Sequence, residues 1–264
     1  TDGCFCGWSL YAKMEITDFL KEDGKFIYNG DEPLLEERAA KIKQEKSTFG
    51  FREEDTVFAT TFRSYMHHAT FEVNGSTQQF KIPMIGKHNV SNALAAISVG
   101  RHFGENDEQI AQALANFTPT ANRMQWKKGD VGEAIMDDVY NSNPTAVRAV
   151  TTSFGQVMVE DGGRRIAVLG DMLELGDESA DLHASLAASL DPAIINELYL
   201  YGPEMKNLYD ALVDKYPEEN LHYYPQDQMN HMIDDLKNDI KPADIVMLKG
   251  SHGMHLEKVL DRLM

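Results

Sequence analysis

The sequence predicts an α/β protein in two parts, and three observations carry that reading. Residues 25–83 pass through short stretches rich in aromatic and β-branched residues, the signature of strands. From residue 119 onward, strand-like and helix-like stretches alternate five times, which implies a parallel, doubly wound sheet with helices on both faces. Between them lies "TPTAN", residues 118–122, a polar, proline-containing segment suited to a linker. The expected division is therefore 1–118 and 119–264.

In the first part, "KFIYN", "TFGF", "TVFATTF", "ATFEV" and "QQFKIPM" are the strand candidates, with "VNGST" as a hairpin turn. "EPLLEERAAKIKQ" has helical spacing of its apolar residues, as do "NVSNALAAISVGRHF" and "NDEQIAQALANF". In the second part, "VGEAIMDD", "RRIAVLG", "ELYLYG", "LHYY" and "DIVMLKG" are strands, and helices start near Pro144, Glu178, Pro203, Gln226 and Gly253.

Bulk properties narrow the function. The 264 residues carry a net charge of −17, which argues against a nucleic-acid backbone as partner because phosphate contacts need clustered Lys and Arg. An anionic small ligand remains compatible, since a site can be locally positive. No apolar run approaches the roughly 18 residues of a membrane helix. The opening "TDGCFCGWSLY" lacks the pattern of an export signal, so a cytoplasmic address without membrane insertion is expected. Cys4 and Cys6 form a lone C-x-C without the second pair of a zinc site or a disulfide framework.

In a doubly wound sheet, ligands sit beyond the carboxyl ends of the strands. Those ends read "MDDVYNSNP", "VLGDMLELG", "LYGPE" and "LKGSHG". Asp137 and Asp138 close an apolar strand and are followed by Tyr140, Asn141 and Asn143. Asn143 alone would cap the helix that starts at Pro144, so the remaining polar groups point to function, as a ribose acceptor or a metal holder. Gly170, Asp171 and Glu174 fit either a tight turn with a cap or a site. Lys249, Gly250 and Ser251 precede a helix, where free N–H groups favour a carboxylate or phosphate. His67 and His68 are adjacent on a strand, point to opposite faces, and make no metal pair. His183 and His255 read as ordinary surface or packing residues. At 86–100, "GKHNVSNALAAISVG" places Asn89 and Asn92 at the mouth of an apolar helix, more than one cap requires.

Taken together, "AKMEI" at 12–16, "GKHNVSNALAA" at 86–96, "MDDVYNSNP" at 136–144, "VLGDMLELG" and "VMLKGSHGMHLEKV" resemble the Mur ligase family, the ATP-dependent amide-bond ligases of peptidoglycan assembly. The resemblance implies the remainder of a central ATPase domain, with a mixed sheet and helices, followed by a Rossmann-like C-terminal domain. It implies ATP and Mg2+, with His88, Asn89 and Asn92 beside the nucleotide. Asp138 would hydrogen-bond the ribose, with Tyr140 and Asn141 beside it, and Arg123 would reach toward the phosphates. Lys13 would be carbamylated and so able to help organise magnesium. Lys249, Gly250 and Ser251 would contact the amine substrate.

The implied reaction joins D-alanyl-D-alanine to UDP-MurNAc-tripeptide through an acyl phosphate, carried out by a monomer. One family motif has no counterpart. The phosphate loop G-x-x-x-x-G-K-[ST] does not occur in the chain, whose Gly24–Lys25 and Gly86–Lys87 pairs are followed by Phe26 and His88. The expectation is a partial ligase, inactive alone. Two alternatives stay open: a non-catalytic Rossmann-like binding module, and another amide ligase of the wider Mur and folate-polyglutamylating superfamily.

Overall fold

The computed structural model describes residue 12, residues 14–120 and residues 122–264. Lys13, Cys4 and Cys6 lie outside the described residues. Packing divides the chain into two units: one formed by the chain up to Arg63 with 68–83 and 87–117, the other by 64–67, 84–86 and 118–264. Among the described residues, no helix is long and apolar enough to cross a membrane.

The first unit is built on a five-stranded sheet in sequence order: β1 (Lys25–Asn29), β2 (Glu45–Gly50), β3 (Val57–Ser64), β4 (Ala69–Val73) and β5 (Gln79–Ile82). β1, β2 and β3 pair in parallel, whereas β4 and β5 form an antiparallel hairpin that stacks the buried Phe71 on Phe80. Asn74 in the hairpin turn accepts the Phe58 N–H at 2.8 Å and donates to the Thr56 carbonyl, tying the turn to β3. Helix α1 (Pro33–Ala39) is shorter than its apolar spacing suggests, because β2 begins at Glu45 and the chain must turn before it. Helices α2 (Lys87–His102) and α3 (Asp107–Ala115) follow. Asn106 and Gln109 make a reciprocal capping box at the start of α3, and Arg101 grips Asp107 with two 2.8 Å bonds. His67 and His68 lie in the bend between β3 and β4 and not on a strand, which corrects the sequence reading of that segment.

The second unit alternates as its sequence requires. Its elements are β6 (Gln125–Lys128), β7 (Ala134–Asp138), α4 (Pro144–Gly155), β8 (Arg165–Gly170), α5 (Ser179–Ala184), β9 (Glu197–Tyr201), α6 (Met205–Leu212), β10 (Leu221–Tyr224), α7 (Met229–Asp239), β11 (Ile245–Lys249) and α8 (Glu257–Leu263). The strand order is β10-β9-β8-β11-β7-β6, parallel except for β6. The antiparallel edge strand β6 is a correction to a wholly parallel sheet.

Side chains alternate between two cores. Met136, Ala167, Leu169 and Met247 face α4 and α6, while Ile135, Ile166, Val168 and Val246 face α7 and α8. Helices after β7, β8 and β9 therefore cover one face, and those after β10 and β11 the other. Met66 and Ile85, from the two short inserted segments, pack into the first of these cores.

At the amino ends of the strands, Arg164 gathers three carboxylates. It meets Asp244 at 2.7 Å, Glu197 at 2.5 Å and Asp239 at 3.0 Å, and also donates to the Asp239 carbonyl. Burial works against the guanidinium's charge, yet the hydrogen bonds it donates to Asp244 and Asp239 raise its pKa above the ordinary arginine value. Removing one partner of such a cluster strands buried charge. Arg164→Met is expected to lower unfolding stability by about 3–5 kcal/mol. Urea denaturation would measure this, and a loss below about 1 kcal/mol would show that the cluster behaves as a surface pair.

Candidate functional site

The covering helices change face between β8 and β11, and this is the topological switch where such sheets bind ligands. Here the backbones run very close. A Cβ on Gly250 would lie 2.8 Å from Leu256 Cδ1 and 3.2 Å from the Cα of Gly170, so both strand ends depend on glycine. The Ser251 N–H donates to the Asp171 carbonyl at 3.1 Å, and the Ser251 hydroxyl accepts the Leu173 N–H at 2.9 Å. Ser251 thus pins the loop after β8 to the loop after β11.

Asp171 is a cap, one of the two tasks its sequence allows, but of a helix reached from another strand. It accepts the N–H groups of Glu204 and Met205 at 3.2 and 2.8 Å, and so caps the start of α6, a helix that follows β9. Burial raises its pKa, partly offset by those two donors. His183 is fully buried. Its Nε2 accepts the Met172 N–H at 2.9 Å, and its Nδ1 faces the Ser179 carbonyl at 2.7 Å, which fixes the neutral tautomer with the proton on Nδ1. No spacing in the sequence announces that role.

One strand over, Asp138 and Lys249 stand opposite each other in the β7–β11 register and pair at 2.8 Å. Lys249 is 3% exposed, and its ammonium also donates to the Asn141 carbonyl at 2.6 Å. In this arrangement its donors serve the chain itself, so it supports Asp138 and Asn141 and does not reach outward. Asp138 keeps 14% of its side chain accessible, and its Oδ1 accepts the Met124 N–H. Burial pushes the Asp138 carboxyl up, with Lys249 and the Met124 N–H pulling the other way. Asn143 caps α4 by accepting the Ala146 N–H at 2.8 Å, which leaves Asp137, Asp138, Tyr140 and Asn141 free of capping duty. The Asn141 side chain accepts the next residue's N–H at 2.8 Å.

Arg123 lies over the half-exposed ring of Tyr140, 4.4 Å from its centroid. It forms no ion pair among the described residues. Its neighbours Asn122 and Met124 both have positive φ, 60° and 47°. An L-residue such as methionine adopts that region only when its surroundings enforce it. Here Met124 is held by its buried side chain and by Asp138, and Asn122 by the Tyr140 N–H that donates to its carbonyl. The second unit therefore brings Arg123, Asp138, Tyr140, Asn141 and Lys249 together, with Gly250 and Ser251 adjoining.

In the first unit, α2 begins at Lys87 after Gly86, whose φ is +92°. Asn89 and Asn92 lie inside the helix and do not occupy the cap position. Asn89 is buried, with its Nδ2 3.2 Å from His88 Nε2, while Asn92 is exposed. Lys87 sits over the Phe51 ring at 4.2 Å. Among the described residues, no group of three or more His, Cys, Asp or Glu side chains could hold a metal ion.

This is the architecture of a ligand-binding α/β protein whose polar groups collect at the carboxyl edge of a doubly wound sheet. The chain belongs to the Mur ligases: the Mur ligase middle domain matches residues 10–100, and the family's glutamate ligase domain matches residues 122–252. The UDP-N-acetylmuramoyl-tripeptide–D-alanyl-D-alanine ligase of Bacillus subtilis is 32% identical over 252 residues, 96% of this chain and 54% of the relative. The enzyme of the same name from Escherichia coli K12 is 29% identical over 73% of this chain and 43% of its own. The crystal structure of MurF from Acinetobacter baumannii superposes with a TM-score of 0.82 at 26% identity, covering 96% of this chain and 54% of that one. MurF from Thermotoga maritima in complex with ADP shares the fold, with a TM-score of 0.79 at 23% identity over 96% and 56% of the two chains. The chain spans about half the length of the relatives it matches.

Lys249→Met would leave the Asp138 carboxylate buried without its cation. A carboxyl whose folded-state pKa lies above its unfolded value holds its proton more tightly when folded, so stability falls as pH rises through the interval between the two. The variant should therefore lose progressively more stability than the parent as pH climbs above about 4. Melting curves from pH 4 to pH 8 would show this, and a pH-independent difference would count against the pairing.

Proposed function

We propose that this chain is part of an ATP-dependent carboxylate–amine ligase that adds D-alanyl-D-alanine to UDP-MurNAc-tripeptide in the cytoplasm. The observation that carries the reading is the match to the Bacillus subtilis D-alanyl-D-alanine ligase across 96% of this chain. The reading also draws support from the way Asp138, Tyr140 and Arg123 are assembled.

In this reading ATP transfers its γ-phosphoryl group to the terminal carboxylate of the tripeptide, giving ADP and an acyl phosphate. The amine of D-alanyl-D-alanine attacks the acyl carbon, loses a proton, and the C–O bond to phosphate breaks. The chain's own work is to bind and orient. Asp138 accepts from the ribose hydroxyls through its accessible edge, while Lys249 keeps the carboxylate charged and in place. Arg123, stacked on Tyr140, directs its guanidinium to the phosphates, with Asn141 alongside. His88, Asn89 and Asn92 are the nucleotide contacts of the first unit. Gly250 and Ser251, with Lys249 behind them, shape the loop that would meet the dipeptide, Ser251 through the loop it pins and not through its own N–H. Magnesium, when bound, would offset phosphoryl charge. The described residues offer no ligand cluster for it, and Lys13 lies outside them.

Expressed from its own full reading frame, the protein should release phosphate only when tripeptide and D-alanyl-D-alanine are both present. Activity with folate and glutamate in their place would refute the substrate assignment. The 264-residue chain by itself should release none, because it contains no phosphate loop to cradle the β- and γ-phosphates. Substrate-dependent release from it would overturn that argument.

For Asp138, asparagine is the informative substitution, since it keeps an acceptor oxygen for Lys249 and the Met124 N–H where alanine keeps none. A charge-assisted hydrogen bond contributes about 1.5–3 kcal/mol, so Asp138→Asn should weaken ATP binding roughly ten- to a hundredfold. Unchanged affinity by titration calorimetry would reduce Asp138 to a structural residue.

A further inference from the structure

β6 is a four-residue edge strand with one hydrogen-bonded neighbour, yet it starts two residues after Arg123 and must set where that side chain lies. Short edge strands specify their register weakly, and a slip of one residue exchanges the two faces. The register seen pairs Gln125 with Asp137, Trp126 with Met136 and Lys127 with Ile135. It places Trp126 against Phe154 at 6.4 Å on one face and Lys127 on the other.

Asp137 and Asp138 are consecutive on β7 and so project to opposite faces. Each holds β6 from its own side. Asp138 takes the Met124 N–H, and Asp137 takes the Lys127 ammonium at 2.9 Å. Asp137 is completely buried, and its second oxygen meets no hydrogen-bond partner among the described residues. Lys127 is 29% exposed.

A buried ion pair with an orphan oxygen is poorly suited to adding stability, since apolar side chains of similar volume often do as well or better. What such a pair does supply is register, because a slip of one residue would turn Lys127 to the face away from Asp137. We infer that the Lys127–Asp137 pair is a positioning device that fixes the register of β6 and thereby holds Arg123 over Tyr140. The inference rests on the reading of Arg123 as a phosphate contact. Asp137 and Lys127 touch no ligand; they act through Arg123.

The test uses the 264-residue chain and two independent readouts. Nitrogen-15 NMR of the Arg123 Nε–Hε group reports its stacking on Tyr140 through the ring-current shift, with no nucleotide present. Titration with ATP reports affinity. The paired variant Lys127→Met/Asp137→Leu removes both charges and strands neither, so it should melt close to the parent. It should lose the ring-current shift and bind ATP more weakly by the same factor as Arg123→Ala, roughly tenfold. Adding Arg123→Ala to it should cause no further loss, and Lys127→Arg should keep both the shift and the affinity.

A folded paired variant that retains the shift, or an affinity loss that adds to that of Arg123→Ala, would overturn the inference. A paired variant that does not fold would overturn it as well, since the pair would then be a requirement of the fold. If Arg123→Ala leaves ATP affinity unchanged while the paired variant still loses the shift, positioning stands and the phosphate reading of Arg123 falls.

Discussion

The carboxyl edge of the second unit is organised around the cross-strand ion pair between Asp138 and Lys249. The two residues are 111 positions apart in the chain and meet because β11 inserts between β7 and β8. Their side chains share one face of the sheet, and the pair is largely withdrawn from water. Charge placed there is tolerated only if each group finds partners for its remaining donors and lone pairs. Those partners are backbone groups of two other segments. Lys249 binds the carbonyl of Asn141, which folds the loop after β7, and Asp138 binds the N–H of Met124, which sets the start of β6. One pair thus fixes the first strand pair, the last strand and the loop between β7 and α4 relative to one another.

The opposite edge of the sheet is held in a comparable way by Arg164 among Asp239, Asp244 and Glu197. Between these charged edges, the strands are lined with Ile, Val, Leu, Ala, Met and Tyr on both faces. Burial on both faces explains why the strands read as continuous apolar runs. It also explains why chemistry is confined to the ends, since a polar side chain in mid-strand would meet one of the two cores. Asp171 illustrates the economy of such an edge. It sits where a ligand contact could sit, yet its carboxylate is taken up in capping α6.

Much of this was legible in the sequence, for identifiable reasons. The five parallel strands could be read because each is an apolar run bounded by turn residues. The hairpin of β4 and β5 could be read from Asn74–Gly75 between alternating stretches. β6 could not, since "QWKK" is four residues with two lysines, and its strand character comes from pairing with β7 and from Trp126 packing. The end of α1 was overestimated because "AKIKQ" continues the helical spacing, while the need to enter β2 is a tertiary constraint. Lys249 was visible as a polar group at a strand end, but its engagement with Asp138 depends on strand order, which no local pattern encodes. The same holds for Lys127 and Asp137, and for the tautomer of His183.

The charge balance of the second unit removes the apparent conflict between a strongly acidic chain and the anionic ligand proposed for it. Beyond about 8 Å at physiological ionic strength, exposed charges are largely screened, so groups at the site outweigh the net charge of the chain. At the edge formed by β6, β7 and β11, Lys127 is matched by Asp137 and Lys249 by Asp138. Arg123 is matched by no carboxylate among the described residues and rests instead on an aromatic ring. A guanidinium suits that place better than an ammonium would. Its planar face stacks on Tyr140 while its edge keeps several N–H donors in a fork that fits two oxygens of one phosphate. The two pairs cancel their own charges, and among the described residues of this edge Arg123 is a cation held in place by stacking and not by ion pairing.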